Sequence, residues 1–182
     1  MNEVSLLYKG KLTNEYTAHQ MVWGVIGRKS GSVRDFVFRY VVSPIGVLFH
    51  VRSSGPLLAG TPVQTDYPIG SQLKFELEAS PSARNAKNGA KGSVWESRDA
   101  EAWLIKMSAK CGFAVINNTV LPGRSITVEK DGIKFFRKIW RYNGELRVTD
   151  SAKFTEALQV GMGSMKAFGA GMLVVKEIVR LQ

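Results

Sequence analysis

Cysteine and histidine are scarce in this chain of 182 residues: Cys111 stands alone, and His19 and His50 are the only histidines. One thiol excludes an intrachain disulfide, and one thiol with two distant imidazoles gives no zinc-ligand set. Aspartates such as Asp66, Asp99, Asp131 and Asp150 stand singly, so a two-metal carboxylate motif is absent. No Gly-x-Ser-x-Gly elbow occurs, which removes the usual signature of a Ser-His-Asp hydrolase. No apolar run approaches the ~18 residues of a membrane span. The opening Met1-Asn2-Glu3-Val4-Ser5 has neither the charged nor the apolar region of a signal peptide. These absences lead to the expectation of a soluble cytoplasmic protein with no metal, no cofactor and no membrane partner.

Basic charge is abundant. Twenty-five Lys and Arg stand against fifteen Asp and Glu, a formal net charge of +10. Such an excess fits a polyanion, with RNA and DNA ahead of anionic lipid, since no basic helix pattern has one wholly apolar face. The cations gather in three places. Arg28, Lys29, Arg34 and Arg39 follow the first helical pattern. Arg84, Lys87, Lys91 and Arg98 occupy a polar stretch near the middle. Lys130, Lys134, Arg137, Lys138, Arg141 and Arg147 interleave with Phe135, Phe136, Trp140 and Tyr142. Cations alternating with aromatics suit RNA backbone contact and base stacking. For any single lysine, a solubilising surface role is the expected one.

The pattern along the chain mixes short strands and helices. Val4 to Lys9 reads as a strand. Thr13 or Asn14 caps a helix that runs to about Ile26, with Gly27 as its stop. Asp35 to Val42 and Gly46 to Arg52 form a hairpin about Ser43-Pro44-Ile45-Gly46. Gly55 to Gly70 is loop. Gln72 to Ala79 alternates as a half-buried strand and completes a β-α-β-β-β half. Pro81 to Gly92 is a polar loop and the expected seam. Ser97 or Asp99 caps a helix ending at Gly112. Phe113 to Ile116, Ser125 to Glu129 and Ile133 to Tyr142 read as strands, and Asn143-Gly144 as a two-residue turn leading into Glu145 to Thr149. Asp150 or Ser151 caps a helix to about Val160, and a final strand runs to Val179.

Two features bear chemistry. Residues Gly161 to Gly171 carry a glycine pair at each end, Gly161 with Gly163 and Gly169 with Gly171, around Lys166. Glycines let backbone N–H groups approach a phosphate, and a lysine beside them adds charge. The spacing is neither a Walker loop nor a dinucleotide fingerprint. If the loop cradles a backbone, valine at Gly169 should weaken binding while the melting temperature stays near wild type. On the first helix, Ala18, Val22 and Val25 define the core face at 100° per residue, with Tyr16, His19 and Trp23 beside it. Tyr16 and His19 are three apart, so phenol and imidazole reach one substrate. From spacing alone, polar aromatics at the rim of an amphipathic helix are the expected reading. His50, on a strand beside Arg52, is expected at the solvated surface.

In order and spacing, Tyr16-Thr17-Ala18-His19, Phe75 to Pro81, Ala102-Trp103-Leu104 with Cys111-Gly112-Phe113, and Leu146 to Asp150 with Gly161 to Gly171 span nearly the whole length and together resemble the CasE-type CRISPR repeat endoribonucleases of the RAMP superfamily, subunits of Cascade. Asn14-Glu15-Tyr16-Thr17-Ala18-His19 is similar to the family's Tyr-x-x-His helix, and Arg34-Asp35-Phe36-Val37-Phe38-Arg39 to its next strand. Phe75-Glu76-Leu77-Glu78-Ala79-Ser80-Pro81 is similar to its Leu-x-Ala-Asn-Pro strand end. Ala102-Trp103-Leu104 with Cys111-Gly112-Phe113 is similar to its middle helix. Leu146-Arg147-Val148-Thr149-Asp150, Ala157-Leu158 and Gly161 to Gly171 resemble its C-terminal signature. The chain departs from the family at Gly89-Ala90-Lys91-Gly92, where Gly-Lys-Arg is frequent, and at Ser164, where a cation is frequent.

The resemblance implies an α+β fold of two tandem ferredoxin-like (RRM-like) domains with a C-terminal glycine-rich loop. Their expected limits are 1–82 and 93–182, joined by a linker at 83–92. It implies metal-independent cleavage of precursor CRISPR RNA at the base of the repeat hairpin by 2′-OH transesterification, with the mature guide retained. His19 is the implied catalytic residue, with Tyr16 beside it. Arg28, Lys29, Arg34, Arg84, Lys87, Lys91, Arg137, Lys138, Arg141, Gly161, Gly163, Lys166, Gly169 and Gly171 are the implied RNA contacts. The implied partners are the repeat RNA hairpin and other Cascade-type subunits. The alternative is a non-cleaving RAMP-type RNA-binding subunit of the same kind of complex.

Overall fold

A computed structural model describes residues 1–12, 15–26, 34–57, 59–84, 91–130 and 133–178. The first unit comprises β1 (Asn2–Tyr8), α1 (Glu15–Ile26), β2 (Phe36–Ser43), β3 (Gly46–Ser53) and the short β4 (Thr61–Pro62). Its sheet is antiparallel in the order β2-β3-β1-β4. Alternation puts Phe36, Phe38 and Tyr40 of β2 and Val47, Phe49 and Val51 of β3 on one face, where Ala18 and Val22 of α1 cover them.

The second unit comprises β5 (Gln72–Ala79), β6 (Ser82–Arg84), β7 (Lys91–Ser93), α2 (Ser97–Lys110), β8 (Phe113–Lys130), β9 (Ile133–Val148), α3 (Ser151–Val160), a 3₁₀ turn (Lys166–Phe168) and β10 (Leu173–Ile178). The large sheet has the order β10-β5-β9-β8. Leaving aside the β6-β7 ribbon, this is β-α-β-β-α-β with the fourth strand beside the first, the ferredoxin-like arrangement. The chain therefore folds as two tandem ferredoxin-like units. Leu73, Phe75 and Leu77 meet Leu104 of α2 and Phe154 of α3 in the second core.

Several expectations are corrected. Gln72–Ala79 does not complete the first half: β5 is hydrogen-bonded between β10 and β9, and its apolar face fills the second core. The expected limits 1–82 and 93–182 therefore cut through the second unit. The supposed linker is in part a ribbon in which Ser82 pairs with Ser93 and Arg84 with Lys91. Helix α2 begins after Glu96, which makes no side-chain cap bond, so neither Ser97 nor Asp99 caps it. Asn143-Gly144 is not a turn. It lies inside β9, opposite Thr119 and Asn118 of β8, and the two strands run unbroken past the sheet until Lys130 pairs with Ile133. The register slips between Val115 and Asn117, and a Cβ on Gly144 would stand 2.1 Å from the Asn117 carbonyl oxygen. That glycine serves a bulge, the other standard use of glycine in a strand.

The two units are tied by buried polar groups. Arg52 of β3, 5% exposed, pairs with Glu3 and donates to the Leu158 carbonyl at 3.0 Å and the Leu173 carbonyl at 2.8 Å. The face of β3 opposite its core, expected to be solvated, thus meets the second unit at Arg52. His50 is half-buried and sits 2.9 Å from the Ser5 hydroxyl. Its pKa is lowered by burial first and by Arg39 next.

Candidate active site

Helix α1 and the 3₁₀ turn meet at His19. Ala18 and Val22 seat the helix on the first sheet, which leaves His19 at the rim facing residues 166–168. His19 Nδ1 is 3.0 Å from the Ala167 carbonyl oxygen. A carbonyl only accepts, so Nδ1 is the donor in this contact and Nε2 is the ring nitrogen left for proton transfer. Three rings fence the imidazole: Tyr16 at 5.8 Å, Trp23 at 6.1 Å and Phe168 at 6.2 Å between centroids. Tyr16 is 56% exposed, one helical turn before His19, so its phenol borders both solvent and imidazole. The expected juxtaposition of Tyr16 and His19 is present. The backbone carbonyl that orients the ring comes from 148 residues away and has no local signal in the sequence.

The glycine loop has a structural reason for each glycine. Gly161, Gly163, Gly169 and Gly171 have φ between +73° and +85°, the left-handed region that side chains avoid. A Cβ on Gly169 would meet the Tyr40 ring at 2.8 Å, and one on Gly171 the Met162 carbonyl oxygen at 2.4 Å. Several loop N–H groups are engaged within the protein: Met162 donates to Gly171, Gly171 to Glu78, and Phe168 and Ala170 to Met165. Gly169→Val is therefore a folding lesion, contrary to the expectation of near-wild-type stability.

Lys166 is half-buried, with Nζ 3.5 Å from the Gly161 carbonyl. Burial lowers its pKa, and the nearby Arg34 guanidinium lowers it further. Burial also lowers the pKa of Arg34. Among the described residues no carboxylate pairs with Lys166. Two neighbouring, partly desolvated cations favour an anion between them. Lys166 opens onto a groove of about 980 Å³ between the loop and α2, lined also by Gly161, Gly163, Ser164, Trp103, Lys106 and Lys110. Lys106 and Lys110 follow the helical spacing of α2 and were not among the expected contacts.

The remaining expected contacts are dispersed. Arg137 stacks over Phe135 at 5.1 Å, and Lys138 over Trp140 at 4.1 Å and Trp95 at 5.9 Å. Phe136 and Trp95 are exposed on the β8-β9 ribbon and beside it. Arg141 donates to the Pro122 carbonyl at 3.4 Å and borders a separate cleft with Arg39 and Glu76. Arg28, Lys29 and Lys87 lie outside the described residues. Arg84 and Lys91 are paired in register across the β6-β7 ribbon. Among the described residues no three His, Cys, Asp or Glu side chains gather as a metal-ligand set, and no helix is long and apolar enough to cross a membrane.

Known proteins share this fold. A family model described as CRISPR associated protein matches residues 2–177. The CRISPR-associated endoribonuclease Cse3 of Thermus thermophilus is 27% identical over 118 residues. That match takes in 58% of this chain and 56% of the relative, little more than half of its length. Among solved structures, CRISPR endoribonuclease Cse3 bound to a 19-nucleotide RNA superposes with a TM-score of 0.82 at 19% identity, covering 97% of this chain and all of that one. A chain of a CRISPR RNA-guided surveillance complex superposes with a TM-score of 0.70 at 18% identity, covering 96% and 98%.

Proposed function

The chain belongs to the CRISPR-associated protein family, and within it we propose that this member is an endoribonuclease. It cleaves precursor CRISPR RNA at the base of the repeat hairpin and keeps the mature guide as part of a Cascade-type complex. The observation that carries the reading is His19, its Nδ1 proton engaged by Ala167 and its ring beside Tyr16 and the Lys166 turn. An imidazole tethered through Nδ1 presents its Nε2 to move a proton at a fixed place. The +10 net charge supports a nucleic-acid substrate.

In the proposed reaction the ribose 2′-OH attacks the adjacent phosphorus and the 5′-oxygen leaves. His19 Nε2 accepts the 2′-OH proton as the P–O bond to the 2′-oxygen forms and, once protonated, delivers it to the 5′-oxygen as that P–O bond breaks. Tyr16 orients the ribose or donates to the phosphate, and Lys166, on the turn that holds His19, is the cation proposed to offset charge on the phosphoryl oxygens. The steps call on no metal and no external water, and the upstream product ends in a 2′,3′-cyclic phosphate. Single-turnover cleavage of a repeat-hairpin RNA in EDTA is the test. His19→Ala should slow it by roughly 10²–10⁴-fold with affinity little changed, the range for a general acid/base. A 2′-deoxy nucleotide just upstream of the cut should abolish it. Normal cleavage by His19→Ala, or full activity on the deoxy substrate, would overturn the assignment.

A further inference from the structure

Arg124 lies where the register of β8 slips between Pro122 and Ser125. A bulge re-aims the side chain it carries, and this guanidinium points at the junction of α1 and the glycine loop. On the helix side, Nη1 donates to Glu15 Oε2 at 2.9 Å and to the Tyr40 hydroxyl, which itself donates to Glu15. On the loop side, Nη2 donates to the carbonyls of Phe168 at 3.1 Å and Gly169 at 3.4 Å. The guanidinium carbon lies 4.3 Å from the centre of the Tyr40 ring, and Nε is 3.8 Å from Glu78. One planar fork therefore holds both partners of the His19–Ala167 contact. Glu15 is one helical turn before His19, and Phe168 follows Ala167 directly.

We infer that Arg124 is a positioning residue for His19: it sets the spacing of α1 and the 3₁₀ turn, and so keeps the Nδ1 proton on Ala167 and Nε2 free. The inference rests on the proposed role of His19 for its catalytic consequence, but not for its structural one. Four donations from the two terminal nitrogens of a rigid fork are what the site uses. Lysine, a point charge on a flexible stem, cannot serve Glu15, Tyr40 and two carbonyls at once. Loss of the fork lets the turn drift from the helix, and the imidazole then exchanges its Nδ1 proton for the other tautomer. A displacement of about 1 Å at a catalytic group costs on the order of 10²-fold in rate.

The experiment compares wild type with Arg124→Lys and Glu15→Gln, both of which keep the size of the side chain near its original. Long-range proton–nitrogen NMR correlations of ¹⁵N-labelled protein report the tautomer of each histidine. With only two histidines, a His50→Gln background assigns the His19 ring. Wild type should show the Nδ1–H form alone, and Arg124→Lys a mixture of both forms. Single-turnover cleavage should fall by roughly 10- to 100-fold in Arg124→Lys, with repeat-RNA affinity unchanged, and Glu15→Gln should lie between. A wild-type tautomer at His19 in folded Arg124→Lys overturns the inference, whatever its cleavage rate. If His19→Ala cleaves normally, the catalytic reading fails, yet the tautomer still decides what Arg124 does.

Discussion

Lys166 is half-buried, with a depressed pKa and Arg34 as a like-charged neighbour. Such a cation is costly to keep in place unless an anion joins it, which is why it stands out among the lysines of this chain. If that anion is an RNA phosphate, Lys166→Ala should weaken repeat-hairpin binding and flatten the slope of log K against log salt by roughly one unit. An unchanged slope would move the phosphate path to α2 at Lys106 and Lys110, or to the β8-β9 ribbon. Residue types at this scale were readable in advance. Tyr16 and His19 share a helix face at a spacing of three, and Lys166 sits among glycines. The partners were not readable, because Ala167 against His19 and Arg124 against Glu15 are tertiary contacts with no local pattern.

At the scale of elements, glycine does three different things. Gly144 lets β9 lie against the bulged carbonyl of Asn117, and Gly169 lets the loop turn under Tyr40. Gly24, on the exposed side of α1, has open space where a Cβ would stand, with nothing within 4 Å, and only weakens the helix. Gly144→Ala and Gly169→Val should each cost about 2 kcal/mol or more, since a methyl against backbone, or at positive φ, has nowhere to go. Gly24→Ala should stabilise by roughly 0.5–1 kcal/mol. Thermal melts would check all three, and a normal melting temperature for Gly144→Ala would contradict the bulge argument. The three helices and the longer strands were legible from hydrophobic period, whereas the short β4 and the β6-β7 ribbon lay in stretches that read as loop. The Asn143-Gly144 pair misled because a two-residue turn and a bulge ask for the same residue, and only the pairing of β8 with β9 distinguishes them.

At the scale of the whole molecule, Arg52 binds the two units together. It is buried, charged and shared between Glu3 on one side and the ends of α3 and β10 on the other. Arg52→Met leaves two carbonyls and Glu3 without their donor, which should cost about 3–5 kcal/mol, the usual penalty for breaking a buried pair. Differential scanning calorimetry should show a lower melting temperature and a transition that broadens or splits as the units uncouple. A single transition at the wild-type temperature would show that Arg52 is not a tie.

The sequence by itself determined the α+β composition, the positions of α1, α2 and α3 to within a few residues, the basic character and the His19–Tyr16 pair. All of these follow from local period, spacing and charge, which need no knowledge of distant neighbours. Tertiary structure alone decided that β5 belongs to the second sheet, because a half-buried strand looks the same whichever core it covers. It alone decided that β8 and β9 run on as one ribbon, because strand continuity depends on cross-strand pairing. And it alone brought the loop carbonyl of Ala167 to His19 and the fork of Arg124 to both, since these groups meet only when the two units dock.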